Sequence, residues 1–335
     1  MPQGRQTVIF EKKDETGWVT FSRPERMNAL APESTRELWS ILGKLEADPS
    51  VRVVVFTGQG EEAFCAGMDM AGMEKATPLA ARRRSREIQA VTGRIEELSV
   101  PTVAAVNGVA MGVGLEICLA CDLALASRAA RFAFPEVRLG MIPCGGGTQR
   151  LARLVGLRRA REMVLSGRVL DAEQALEWGL VNAVVEAGEL AREVEELAGK
   201  LAQGGRVALY QARRCLNHSL DMDLNRGLEY ETECFTTCFG SGEPATALRR
   251  YARAAEEPFR EEEAAKQPAP EPAEATAAPG KGRASMITAE PGREAAAPRK
   301  AGAEGSQARP EDGTGAAPEP EPEEEEEDFE EDIFE

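Results

Sequence analysis

The chain has 335 residues, enough for one large domain or two modest ones, and its 42% hydrophobic content is sufficient for a buried core. Its formal charge of -17 is unevenly placed: residues 261–335 carry 22 Asp and Glu against 7 Lys and Arg, leaving the rest close to neutral. This balance argues against a nucleic-acid-binding body, and the single histidine, His218, on a polar helical stretch, argues against hydrolysis by a serine, histidine and aspartate set.

At the amino end, "MPQGRQTVIFEKKDETG" lacks the apolar stretch of a secretory signal, so the expected location is cytoplasmic. "WVTFSRP" (18–24) and "VRVVVFTG" (51–58) read as strands, being β-branched and aromatic with a Pro or Gly stop. Between them, Leu38, Ile41, Leu42 and Leu45 recur at helical spacing after Pro32, a favourable first-turn residue. A second helix is expected over 80–98, with Ile88, Val91, Ile95 and Leu98 on one face, then a strand at "TVAAV" (102–106). On this helix, Arg82, Arg83, Arg84 and Arg86 read as a solvated face in preference to a phosphate-binding patch.

The most apolar run, 100–126, contains Glu116, Asp122 and three glycines, which fits buried core better than a membrane span. After "DLALAS" (122–127) come helical patterns near 147–165 and 172–178, a strand-like "LVNAVVE", and long helices over about 190–239. Strands gather in the first half and helices in the last third, so an α/β core with a helical C-terminal region is expected. The resulting division is 1–195 core, 196–260 helical region and 261–335 tail. The tail, rich in Pro, Ala, Gly and Glu, lacks the large apolar residues that offset ordering entropy, so disorder is expected. Its last residues, "DFEEDIFE", place Phe329, Ile333 and Phe334 among acids; a solubilising tail outweighs a docking peptide for a protein partner.

Seven cysteines, an odd number, suggest reduced thiols. Cys118-x2-Cys121 and Cys234-x3-Cys238 have the spacing of zinc half-sites, but the apolar setting of the first and the single histidine favour core cysteines, and no metal is expected.

Two carboxylates stand out. Glu116 interrupts "VNGVAMGVGLEICLACD" just after Gly108, Gly112 and Gly114, at an expected helix N-terminus where unpaired N–H groups favour developing negative charge. The plainer reading is a helix cap or an arginine partner. Glu136 follows Pro135 in "FAFPEVRLGMIPCGGGTQRL", again between apolar residues and close to a Gly-rich turn. Such settings raise carboxyl pKa values and let one acid hold its proton near neutrality while another does not. A third segment, "EEAFCAGMDM" (61–70), has a small-residue turn at Cys65, Ala66 and Gly67 whose amides suit a ligand oxygen.

Taken together, "RPERMNAL", "VRVVVFTGQGEEAFCAGMDM", "VNGVAMGVGLEICLACD", "FAFPEVRLGMIPCGGGTQRL" and "LSGRVLDAEQALEWGLVNAVV" resemble, in order and spacing, the enoyl-CoA hydratase/isomerase, or crotonase, superfamily over residues 7–258. The resemblance implies a spiral of ββα repeats, a helical trimerisation region giving trimers or dimers of trimers, and an acyl-CoA thioester as substrate. No separate cofactor is implied, because coenzyme A arrives as part of that substrate. Carried over by motif, the backbone N–H groups of Met68 and Val113 form the oxyanion hole, Glu116 is the base that orients water on Cβ, and Glu136 is the acid for Cα. The implied substrate contacts are Arg26, Ala66, Gly67, Asp69, Gly112, Pro135 and Gly145. Departures are Val113 for the usual glycine, Cys144 where many relatives have glycine, Ala71 for a common lysine, and "EPATALRRYAR" in place of the family's C-terminal CoA-binding pattern. Valine does not comfortably take positive φ, so the backbone at Val113 should be ordinary.

Having both glutamates puts an enoyl-CoA hydratase ahead of a Δ3,Δ2-enoyl-CoA isomerase or another crotonase-type enzyme. A rival of a different class is a non-catalytic scaffold or RNA-binding relative acting through the acidic tail or the basic helix.

Overall fold

A computed structural model describes residues 6–252. The acidic tail and the final residue of the "EPATALRRYAR" segment, Arg253, lie outside these described residues.

The chain opens with an antiparallel pair, β1 (Val8–Lys13) and β2 (Thr16–Phe21), and continues through helix α1 (Pro32–Ala47) to β3 (Val53–Gly58). Pro32 takes the first position of α1, and Leu38, Ile41, Leu42 and Leu45 form its buried stripe. Three steps of strand, strand and helix then follow. The first uses β3, β4 (Ala63–Cys65) and α2 (Pro78–Glu97); the second β5 (Thr102–Val106), β6 (Val109–Met111) and α3 (Val113–Ala120); the third β7 (Leu123–Ser127), β8 (Arg131–Ala133) and α4 (Gly147–Val155). These are the repeats that the resemblance implies.

The first strand of each step joins a six-stranded sheet ordered β1-β2-β3-β5-β7-β10, where β10 is Ala183–Val185. The second joins a four-stranded sheet ordered β4-β6-β8-β9, where β9 is Leu170–Asp171. Where the chain passes between sheets, Gly58 and Gly108 occupy matching places, and a Cβ on either would overlap the carbonyl oxygen of Ala63 or Glu62. Asn107 braces the same crossing, accepting from the Gly58 N–H at 3.1 Å and donating to the Gly60 carbonyl at 2.7 Å.

The large sheet is covered on both faces, as near-continuous apolar strands require. Val54, Phe56, Ala104 and Val106 point toward α1 and α2; Val53, Val55, Val103 and Ala105 point toward Leu190, Val194 and Ala198 of helix α5 (Leu190–Ala202). The expected helix over 147–165 is in fact α4 and a second helix at Leu157–Ser166, because Gly156 has φ 83° and stops the first. A short helix at Ala172–Trp178 begins at an Asp171 cap, which accepts from the Gln174 N–H at 2.8 Å. The expected helical stretch over 190–239 comprises α5, α6 (Arg206–Asn217) and α7 (Leu224–Gly240).

All seven cysteines are free, and among the described residues no group of three or more His, Cys, Asp or Glu could hold a metal. No described helix is long and apolar enough to cross a membrane.

Candidate active site

Glu116 lies in the first turn of α3, and its side chain has no exposure to solvent. Its Oε1 accepts two backbone N–H groups, from Gly145 at 2.7 Å and Gly147 at 2.8 Å, while Oε2 has no partner among the described residues. It is therefore held as an acceptor for amides of a distant loop, which is neither the cap nor the arginine pair of the plainer reading. Burial pushes its pKa above the ordinary carboxyl value, opposed by those two amides and, more weakly, by the nearby Arg150 charge.

The loop over Glu116 is held in place from the other side. The Gly145 carbonyl accepts from Thr92 Oγ1 at 2.8 Å and Arg150 Nη1 at 3.0 Å, and the Cys144 carbonyl from Ser85 Oγ at 2.9 Å and Gln89 Nε2 at 3.0 Å. With the carbonyls engaged by α2 and α4, the intervening amides face the carboxylate. A Cβ on Gly145 would stand 2.5 Å from Ile88 Cγ2 and 2.6 Å from Glu116 Oε2, so only glycine fits there.

Glu136 begins a 3-10 turn (Glu136–Leu139) after Pro135 and is half-buried. Its Oε2 also lacks a partner, and its pKa is pushed up to about 7, chiefly by burial and further by the charge of Glu116. Gly112, with φ 50°, allows this approach: a Cβ there would lie 2.7 Å from Glu136 Oε1. The positive φ falls on Gly112, and Val113 has ordinary backbone, in agreement with its β-branched side chain.

A cavity of about 520 Å³ opens beside these groups. Its walls include Ala66, Gly67, Met68, Gly112, Val113, Pro135 and Glu136 of the expected set, together with Met70, Met73, Leu139, Met141 and Ile142. Glu116 and Gly145 stand immediately behind the wall formed by Cys144 and Gly146. Val113 is the first residue of α3, where an N–H has no intrahelical acceptor, and neither its N–H nor that of Met68 has a partner among the described residues. The chain at Met68 is fixed by its pairing with Leu30, which donates to Gly67 O at 2.8 Å and accepts from the Asp69 N–H at 2.9 Å.

Two expected contacts stand apart from the cavity lining. Arg26 is exposed on the turn Pro24–Arg26. Asp69 pairs with Arg23 Nη2 at 2.8 Å, and that guanidinium holds its carboxyl below the usual range. Cys144 does line the cavity, and burial pushes its thiol up to about 12, so it is present as neutral S–H. Arg84 corrects the reading of the basic run: it is 8% exposed and lines the cavity, whereas Arg82, Arg83 and Arg86 are exposed.

Sequence reasoning missed Thr92, Arg150, Ser85 and Gln89. The available signal was a polar residue, Thr92, lying one residue from Val91 on the apolar stripe of α2, where a hydroxyl needs a partner.

A family model described as enoyl-CoA hydratase/isomerase matches residues 11–262. The short-chain-enoyl-CoA hydratase of Clostridium acetobutylicum is 38% identical over 244 residues, which cover 73% of this chain and 94% of that protein. The crotonyl-CoA hydratase of Syntrophomonas wolfei is 34% identical over 246 residues, covering 73% and 95%. A crystal structure of an enoyl-CoA hydratase from Bacillus anthracis is similar with a TM-score of 0.72 at 32% identity, covering 74% of this chain and 97% of that one. A matching family model over most of the chain, relatives of this identity and a shared two-sheet spiral agree: the chain belongs to the enoyl-CoA hydratase/isomerase family.

Proposed function

We propose that the protein is an enoyl-CoA hydratase that adds water across the 2,3 double bond of a 2-enoyl-CoA thioester. The observation that carries this reading is the pair of unpartnered carboxyl oxygens, Glu116 Oε2 and Glu136 Oε2, beside one cavity that also receives the free N–H groups of Met68 and Val113.

In this mechanism the thioester oxygen sits between the two N–H donors. Ionised Glu116, its Oε1 fixed by two amides, accepts a proton from water through Oε2 as the water oxygen bonds to Cβ. The π electrons move onto the thioester as an enolate, which the two amides stabilise; one such donor is worth about 3 to 4 kcal/mol. Protonated Glu136 then delivers its proton to Cα, and solvent restores both carboxyls. The environments support this division, since amide hydrogen bonds favour the ionised form at Glu116 and no such bond reaches Glu136 Oε2.

Substrate contacts follow the cavity wall: Ala66, Gly67, Gly112, Pro135 and, behind them, Gly145. Arg26 serves the coenzyme phosphates; its neighbour Met27 holds the Ala66 N–H through its carbonyl at 2.9 Å, which brings that turn beside the oxyanion segment. Asp69 acts indirectly, by fixing Arg23 and hence the Leu30 pairing. Leu216, Leu224, Leu228, Phe235 and Phe239, all exposed on α6 and α7, supply the surface for a homotrimer or a dimer of trimers. The reduced cysteines agree with a cytoplasmic location.

The test is loss of the conjugated-thioester absorbance of crotonyl-CoA. Glu116→Gln and Glu136→Gln should each lower kcat by at least 100-fold. Full activity in either variant, or no hydration by the unaltered protein of any enoyl-CoA from short to branched, rules the reading out. Sedimentation should give a trimer or hexamer at micromolar concentration; a monomer there defeats the assembly.

A further inference from the structure

We propose that Arg84 selects enoyl-CoA thioesters whose acyl group carries a carboxylate just beyond the double bond. This rests on the hydratase reading and names its substrate class.

Arg84 is the one basic residue among those lining the cavity, and only 8% of it is exposed. The surrounding wall is otherwise largely apolar, with Met68, Met73, Leu139 and Met141. Its own partners leave donors unused. Nη1 contacts Glu87 Oε2 at 3.1 Å and Nη2 contacts the Leu30 carbonyl at 3.3 Å, out of five N–H donors on a guanidinium. Glu87 is shared, since Arg83 reaches its other oxygen at 3.4 Å, so two cations face one anion. A purely hydrocarbon acyl group filling the cavity would strip the remaining water from this excess charge. A carboxylate there would replace that water with a charge-assisted hydrogen bond.

The position also matches the reaction. Ile88, one turn along α2 from Arg84, abuts Gly145, and Gly145 lies against Glu116 Oε2. One turn is a rise of about 5 to 6 Å. A carboxylate one or two carbons beyond Cβ, with its hydrogen bond, spans a similar length. Of the neutral polar wall residues, Ser85 and Gln89 are occupied with the Cys144 carbonyl and Gln149 donates to Thr148 Oγ1, which leaves Arg84 as the charged donor that discriminates.

The experiment is isothermal titration of the full chain with glutaryl-CoA and butyryl-CoA, saturated thioesters that differ by the terminal carboxylate and its carbon. The expected result is at least tenfold tighter binding of glutaryl-CoA. Arg84→Gln should reduce the ratio to within about twofold, and Arg84→Lys, which keeps the charge without the planar fork, should retain part of it. Hydration of glutaconyl-CoA and crotonyl-CoA should show the same preference in kcat/KM. Equal affinities in the unaltered protein, or a ratio that survives Arg84→Gln in a folded variant, overturn the assignment even where crotonyl-CoA is hydrated. Failure to bind either thioester, with no hydration of either enoyl-CoA, overturns the hydratase reading as well.

Discussion

At the scale of single residues, the two glutamates differ in what touches them, and that difference sets the pH response. Glu136 has a pKa of about 7, so the fraction able to donate falls as the pH rises through that value. We expect kcat/KM for hydration to decline tenfold per unit above about pH 7; a rate independent of pH from 6 to 9 would count against Glu136 as the acid. The same group links to stability. Its folded pKa is raised above the unfolded carboxyl value of 4.5, so its stabilising contribution is complete below about pH 4.5 and lost as the pH rises through about 7. Glu136→Gln should therefore be more stable than the parent at pH 8, by about 1 to 2 kcal/mol once partial solvent exposure is allowed for. Urea titrations at pH 5 and pH 8 check this. Both carboxylates were legible because an acid inside an apolar run is conspicuous. Which amides hold Glu116 was not, since Gly145 and Gly147 approach it from about thirty positions away and glycine carries no sign of what its N–H faces.

At the scale of elements, the site depends on a loop oriented by two helices. Removing the Thr92 hydroxyl as Thr92→Val should lower hydration by roughly tenfold and stability by about 1 kcal/mol, because the Gly145 carbonyl keeps only its Arg150 bond. Gly145→Ala is a harsher change: the added methyl meets Ile88 and Glu116 together, and we expect at least 100-fold loss of kcat with about 1 to 3 kcal/mol of destabilisation, read by activity and thermal melting. The longer helices and the β-branched strands were readable from periodicity and composition. The strands of the smaller sheet were not, being two or three residues long, too short for any alternation to register. The basic run misled for a related reason. Charge composition describes a helix as a whole, whereas α2 turns Arg84 inward along the line of Ile88 and sends Arg82, Arg83 and Arg86 outward.

At the scale of the whole molecule, α6 is joined to the body through Arg213, which is 7% exposed. Its Nε contacts Asp122 Oδ2 at 2.7 Å, and its other nitrogens take the carbonyls of Leu98 and Glu96 at the end of α2. Asp122 Oδ2 also accepts from the Thr102 N–H at 2.7 Å, so one carboxyl gathers the starts of β5 and β7 and the middle of α6. Asp122 itself lies at the surface, but its charge answers the buried Arg213 guanidinium, and Asp122→Asn should lower stability by roughly 1 to 2 kcal/mol in denaturant melts. Composition located the helical C-terminal region, but nothing in the sequence linked Asp122 to a partner ninety residues later. That separation has a consequence for biosynthesis. A nascent chain released from the ribosome tunnel only as far as residue 200 has every strand of both sheets, yet its aspartate still waits for the arginine that latches the body shut.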